Sequence, residues 1–186
     1  MTVCIGIKDK RNQCCYVGAD SGISHSSFCT RTITTKVFHP YKRKDIVIWC
    51  AGSIRMSNLL QADNTMFECL QENKYINYDK LIVNIIQKII PKIESHSALL
   101  KECNEEFDLI LAIKDRLYRI QSDCSIYEVE EIDIICSGCE TSYGAMMMAE
   151  TYDHYDNYKS HIESAISISS KYNYGISLPV TILCTK

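Results

Sequence analysis

The sequence predicts an α+β fold: a four-layer αββα sandwich of two stacked antiparallel sheets, each flanked on its outer face by a helix pair. Three observations lead there. The apolar pattern along the 186 residues runs strands, two helices, strands, two helices, strand. The composition, 46% hydrophobic and 23% charged, is that of an ordinary globular chain. Seven Gly and three Pro mark no linker, repeat or low-complexity tract, so residues 1–186 read as one domain. At this length roughly 70% of the unfolded chain's surface can be buried, so folding alone requires no metal, disulfide or partner.

The elements follow in order. Thr2 to Ile7 alternates β-branched with small residues, passes through the polar stretch Lys8 to Gln13 and resumes at Cys14 to Ala19, a β-hairpin from the N-terminus onward. A polar stretch follows Asp20, then a short strand near Arg31 to Thr34, a turn at His39-Pro40 and the apolar strand Asp45 to Cys50, which stops at Ala51-Gly52. From Ser53, an N-cap, Ile54, Leu59, Leu60, Met66, Phe67 and Leu70 fit helical spacing. Tyr78 to His96 supplies a second helix, broken or kinked at Pro91. Strands return at Phe107 to Ile113, Leu117 to Ile120, Ile126 to Val129 and Asp133 to Cys136, ending in the loop Ser137-Gly138. Helices over Thr141 to Tyr152 and Asn157 to Tyr172 and a last strand, Val180 to Cys184, complete the chain.

Charge and apolar patterning exclude several function classes. Twenty Lys plus Arg against 23 Asp plus Glu give a net charge of −3, and the basic residues cluster only at Lys42-Arg43-Lys44. Nucleic acid and anionic membranes both require a concentrated basic face, so neither is an expected partner. The apolar start reaches Lys8, Asp9 and Lys10 within a few residues, unlike a signal peptide. Leu81 to Ile90 is interrupted by Asn84, Gln87 and Lys88 and falls short of the ~20 residues a membrane span needs. A cytoplasmic location is expected. Eleven cysteines at irregular spacing then read as reduced thiols that pack as small hydrophobes.

Thr2 is the first residue with chemical promise. A small residue at position 2 directs removal of Met1, which leaves a threonine carrying a hydroxyl and a free α-amine, a nucleophile with its own base. Such an amine has a pKa near ~8, whereas an acylated nitrogen has no basicity to offer. Asp20 ends the paired strand. In a hairpin centred on Arg11, with a loop of three or five residues, Thr2 opposes Asp20 on one face; a loop of even length breaks that register. Lys36, placed against both, would lower the proton affinity of the hydroxyl and the amine. Two strand-turn-helix junctions, Ala51-Gly52-Ser53 and Ser137-Gly138, offer backbone N–H groups of the kind that stabilise an oxyanion.

Taken together, Thr2 at the processed start, Gly18-Ala19-Asp20-Ser21, Lys36-Val37-Phe38, Ala51-Gly52-Ser53 and Ser137-Gly138 resemble the proteasome β-type subunits, including HslV-like bacterial peptidases, over nearly the whole chain. The resemblance implies a proteasome-like N-terminal-nucleophile hydrolase that cleaves peptide bonds. Thr2 would be the nucleophile, Asp20 and Lys36 its charged support, Gly52 the oxyanion N–H donor and Ser137 a hydrogen-bond partner near the amine. Ile23, Ser24 and Thr34 would line the substrate channel, with Cys50 at the base of a pocket for hydrophobic side chains. It implies no cofactor and no metal. Polypeptide substrates, a homo-oligomeric ring or stacked rings, and an ATP-dependent unfoldase are the implied partners. The sequence departs from that pattern in carrying no acid in Lys171-Tyr172-Asn173-Tyr174-Gly175.

Other readings are weaker. Cys136-Ser137-Gly138-Cys139 has C-x-x-C spacing, but a zinc site needs a second such pair and a redox site needs a βαβ setting. The histidines form no motif, and His154 and His161 are expected on solvated helix faces. Met146-Met147-Met148 is expected to divide between core and subunit contact, and Tyr152, Tyr155 and Tyr158 to form a packing ridge. The alternative to a peptidase is a non-catalytic structural or binding subunit of the same fold that retains Met1.

Overall fold

The computed structural model describes residues 2–25, 28–31, 35–40, 43–52, 54–62, 107–123, 125–152 and 157–186, with isolated positions between 80 and 95. The strands are β1 (Cys4–Asp9), β2 (Cys14–Ala19), β3 (Gly22–His25), β4 (Phe28–Arg31), β5 (Val37–Phe38) and β6 (Ile46–Ala51) in the first half. Helix α1 (Ile54–Ala62) follows, then β7 (Asp108–Ile113), β8 (Arg116–Gln121), β9 (Ile126–Val129) and β10 (Ile132–Ile135). Helices α2 (Cys139–Tyr152) and α3 (Tyr158–Tyr172) precede β11 (Thr181–Cys184).

Two antiparallel sheets stack. One has the order β10-β1-β2-β11, the other β5-β6-β7-β8-β9, and β3 pairs with β4 in a separate hairpin. Cys4, Cys15, Val17 and Ala19 of the first sheet meet Val47, Trp49, Ala51, Ile110, Ala112 and Leu117 of the second in a fully buried layer. The opposite face of the first sheet, through Ile5, Ile7 and Ile134, packs on Met146 of α2 and on Ile162, Ala165 and Ile166 of α3. Burial on both faces explains why β1 and β6 read as nearly unbroken apolar runs rather than as alternating strands. Helix α1 packs against β6, and the layers follow the predicted αββα order. The second helix expected there, Tyr78 to His96, lies largely outside the described residues.

Local chemistry sets the joints. Asn157 caps α3 by accepting a hydrogen bond from the Ser160 N–H at 3.1 Å. Gly18 lets α3 approach the sheet closely, since a Cβ there would lie 2.4 Å from Ile162 Cγ2.

Four expectations are corrected. The first hairpin pairs Cys4 with Ala19 and Asp9 with Cys14, leaving the even loop Lys10 to Gln13. Asp9 fixes that loop by accepting from both the N–H and the side-chain amide of Asn12, at 2.9 and 2.7 Å, and Gln13 takes a left-handed φ of 50°. Val3, not Thr2, therefore stands opposite Asp20, through an Asp20 N–H to Val3 O bond of 3.4 Å. The stretch after Asp20, read from its residues as polar, contains the β3–β4 hairpin, whose β3 includes Ile23 and Ser24 and whose β4 ends at Arg31, and residues 32–34 lie outside the described set. His161 is buried in α3 rather than solvated, because its position faces the sheet alongside Ile162 and Ala165. His154 and Tyr155 lie outside the described residues, as does the side chain of Tyr152. Tyr158 packs on Tyr16 with ring centroids 6.0 Å apart. The three methionines divide: Met146 is buried in the core and Met148 is 58% exposed.

Candidate active site

Register brings the predicted residues to one end of the sandwich. Thr2 precedes β1 and Asp20 follows β2, its antiparallel neighbour. The pairing of Val37 with Trp49 sets the start of β5 beside the end of β6, so Lys36 and Ala51-Gly52 arrive at the same end. Cys4 pairs with Ile135, which brings the β10–α2 junction next to Val3; a Cβ on Gly138 would lie 3.2 Å from Val3 Cβ.

Three of these residues are in direct contact. The Thr2 hydroxyl donates to Asp20 Oδ1, and Lys36 Nζ donates to Thr2 Oγ1 at 2.5 Å and to Asp20 Oδ1 at 2.9 Å. Asp20 has no exposed side-chain surface and Lys36 has 14%. Burying a carboxylate is costly unless it is paired and hydrogen-bonded, and here the donors are supplied in full. Oδ1 also accepts from the Val3 N–H at 3.1 Å, while Oδ2 accepts from the N–H groups of Gly22 at 2.7 Å and Ser177 at 3.2 Å. One hydroxyl oxygen thus lies between a carboxylate that takes its proton in a hydrogen bond and an ammonium that stabilises negative charge on it.

The remaining candidates are less closely tied. Gly52 is exposed at the β6–α1 junction with a φ of 105°, a conformation that favours glycine. Ser137 is exposed at the β10–α2 junction, and among the described residues no hydrogen bond links it to Thr2, Asp20 or Lys36. Ile23 is half-buried in β3, opposite Thr30. Ser24 lies in β3, but its side chain falls outside the described residues, as does Thr34 altogether. Cys50 is buried in β6, where desolvation, with the nearby Cys136 and Asp108 adding to it, pushes its thiol up.

Two features were not anticipated. Gly22 and Ser177 reach Asp20 through backbone N–H groups, and only Gly22, two residues after Asp20, carried a local signal. A charged cluster also borders the site between the sheets. Arg119 of β8 bonds both oxygens of Asp108 at 3.1 Å and approaches Asp133 of β10 at 3.6 Å. Burial pushes the Asp133 carboxyl up and the Cys136 thiol to about 12, so Cys136 is a neutral group between the two clusters. Among the described residues no cluster of His, Cys, Asp and Glu could hold a metal ion, and no helix is long and apolar enough to cross a membrane.

No family model matches the sequence, and no curated protein does. Solved structures share its fold. BPH from Thiobacillus denitrificans superposes with a TM-score of 0.75 at 17% identity, over 100% of this chain and 98% of that one, and has also been solved in complex with epoxomicin. HslV from Trypanosoma brucei gives 0.67 at 15% identity over 98% of each chain. Anbu (ancestral beta-subunit) from Yersinia bercovieri gives 0.69 at 13% identity, over 98% of this chain and 81% of that one. The chain therefore shares the four-layer α+β sandwich fold of these proteins.

Proposed function

We propose that this protein is a proteasome-like threonine peptidase whose nucleophile is Thr2 after removal of Met1. The observation that carries the proposal is the three-way contact of the Thr2 hydroxyl with the buried Asp20 carboxylate and the Lys36 ammonium.

The chemistry follows from that contact. The freed Thr2 amine accepts the hydroxyl proton while Lys36 stabilises the developing alkoxide. Oγ1 bonds to the carbonyl carbon of the substrate, and the carbonyl electron pair moves onto oxygen, where the Gly52 N–H is the proposed donor. The tetrahedral intermediate collapses, the C–N bond breaks, and the leaving amine takes the proton from the Thr2 ammonium. Water then hydrolyses the ester, with the same amine as base, and restores the hydroxyl. Ile23, Ser24 and Thr34 are the proposed channel residues and Cys50 the pocket base, which favours hydrophobic side chains. Self-compartmentalised action in a cytoplasmic homo-oligomeric ring, with polypeptides fed by an ATP-dependent unfoldase, belongs to the same proposal; it rests on likeness of fold.

A second reading, a non-catalytic subunit that keeps Met1, draws support from the lack, among the described residues, of a hydrogen bond from Ser137 to Thr2, Asp20 or Lys36. Turnover of fluorogenic peptides with hydrophobic residues before the scissile bond distinguishes the two. The peptidase reading expects activity that falls at least about 10³-fold in Thr2→Ala, a loss of the order seen when a nucleophile is removed. Equal turnover by wild type and Thr2→Ala would exclude Thr2 as the nucleophile.

A further inference from the structure

We propose that the segment joining α3 to β11, residues 173–177, is a positioning element that fixes the rotation of the Asp20 carboxylate, with Ser177, Gly175 and Gly22 as its working parts. The proposal rests on the reading of Thr2 as nucleophile and assigns a role to residues that bond or abut the Asp20 carboxylate.

A carboxylate turns about its terminal torsion in a broad, roughly two-fold well. The donors that matter for chemistry, Thr2 Oγ1 and Lys36 Nζ, both address Oδ1, as does the Val3 N–H. Both oxygens belong to one planar group, so donors on Oδ2 fix the same torsion as the three on Oδ1 and hold the carboxylate from its other side. Oδ2 accepts from the Gly22 N–H, two residues on at the start of β3, and from the Ser177 N–H of a segment 157 positions away.

That segment is itself anchored. Ser177 O accepts from the Ser21 N–H at 2.8 Å and from Ser21 Oγ at 3.1 Å. Asn173 ends α3, its N–H bonding Ser169 O at 2.9 Å and its side-chain amide donating to Thr141 Oγ1 at 3.2 Å. Ile176 is buried in the core cluster that contains Val3. Gly175 takes a φ of 95°, and its carbonyl oxygen crosses so close to β3 that a Cβ on Gly22 would lie 2.4 Å from it and 2.7 Å from Asp20 Oδ2. Any side chain at position 22 would push the segment away from the carboxylate. The backbone contact between Gly22 and Gly175 is therefore what lets the Ser177 N–H reach Oδ2.

The decisive comparison is Ser177→Pro, which deletes the N–H, with Ser177→Ala, which keeps it. Ser177→Pro is expected to lower kcat about 10–100-fold, the loss of one hydrogen bond to a charged group, with KM changed far less than kcat because the lost bond acts on the Asp20 carboxylate. Ser177→Ala is expected to recover most of the rate. Gly22→Ala tests the same contact without a proline, and kcat is expected to fall with KM retained. Equal losses in Ser177→Pro and Ser177→Ala, or full kcat in both Ser177→Pro and Gly22→Ala, would overturn the proposal. If wild type shows no turnover, the peptidase reading fails, and amide hydrogen exchange decides the clamp by itself. The Ser177 and Gly22 amides should exchange at least about tenfold faster in Asp20→Ala than in wild type while the Trp49 amide stays unchanged, and equal rates would refute it.

Discussion

Lys36→Met should destabilise the chain more than the loss of a surface lysine would, and the excess should depend on Asp20. The substitution keeps the length of the side chain and removes the ammonium 2.9 Å from a carboxylate with no exposed surface. Breaking a buried ion pair from one side costs about 3–5 kcal/mol when nothing replaces the lost partner. Here Thr2 Oγ1 and the N–H groups of Val3, Gly22 and Ser177 still point at Asp20. The cost should therefore approach that of one charge-assisted hydrogen bond, about 1.5–3 kcal/mol. Asp20→Asn removes the charge that makes the loss expensive, so the double variant should be more stable than the sum of the singles by about 1–2 kcal/mol. Urea unfolding followed by far-UV circular dichroism measures this, with protein concentration held fixed because oligomer stability depends on it. Additivity within about 0.5 kcal/mol would mean that Lys36 and Asp20 are not coupled as the geometry requires.

Three further outcomes follow from the same packing and charge arrangement. Gly18→Ala should cost about 1–3 kcal/mol in urea unfolding, because its Cβ would lie 2.4 Å from Ile162 Cγ2 in a buried layer; an unchanged midpoint would contradict the close approach of α3. Hydrogen bonds from Arg116, then Lys8, hold Glu128 at about 2, below the unfolded carboxyl value of ~4.3. That stabilisation is complete above about pH 5 and is lost as pH falls toward 2, so Glu128→Gln should cost about 0.5–1 kcal/mol at pH 7, limited by solvent screening, and almost nothing near pH 2. Burial pushes the thiols of Cys4, Cys15, Cys50 and Cys136 up. Peptide mapping after brief alkylation at pH 8 should find all four modified at least about 100-fold more slowly in native protein than in urea. Rapid labelling of Cys50 would contradict its burial in β6.

The sequence was most informative where chemistry is local. The apolar runs Ile46 to Ala51 and Asp108 to Ile113, the turn at Lys114-Asp115 and the cap at Asn157 each carry their structural cause in adjacent residues, and their boundaries shift by at most a residue or two. The contact of Thr2 with Asp20 was anticipated through a register that proved one residue off, since the Asp9–Asn12 hydrogen bonds that close a four-residue loop lie within a polar stretch where several turn lengths are equally compatible. Asp20 still reaches Thr2, because Thr2 adjoins Val3 and lies ahead of β1, where the alternation of a regular strand no longer turns the two side chains apart. The β3–β4 hairpin was hidden by its Ser and His content, and His161 by helical spacing that does not reveal which face is covered. Ser177 left no trace in the sequence: a backbone N–H has no residue signature, and its proximity to Asp20 in space, across 157 positions of chain, is set only by the packing of α3 and β11 on the first sheet.

The central claim is that Thr2, once Met1 is removed, is a reactive nucleophile. An intact-protein mass spectrum before and after treatment with epoxomicin, the compound found in complex with BPH, tests it most directly. The account predicts a starting mass lacking Met1, one adduct per chain mapped by peptide sequencing to Thr2, and no adduct in Thr2→Ala. A chain that retains Met1, or a free Thr2 that takes no adduct in the assembled protein, would contradict it and leave the non-catalytic subunit as the reading of this fold.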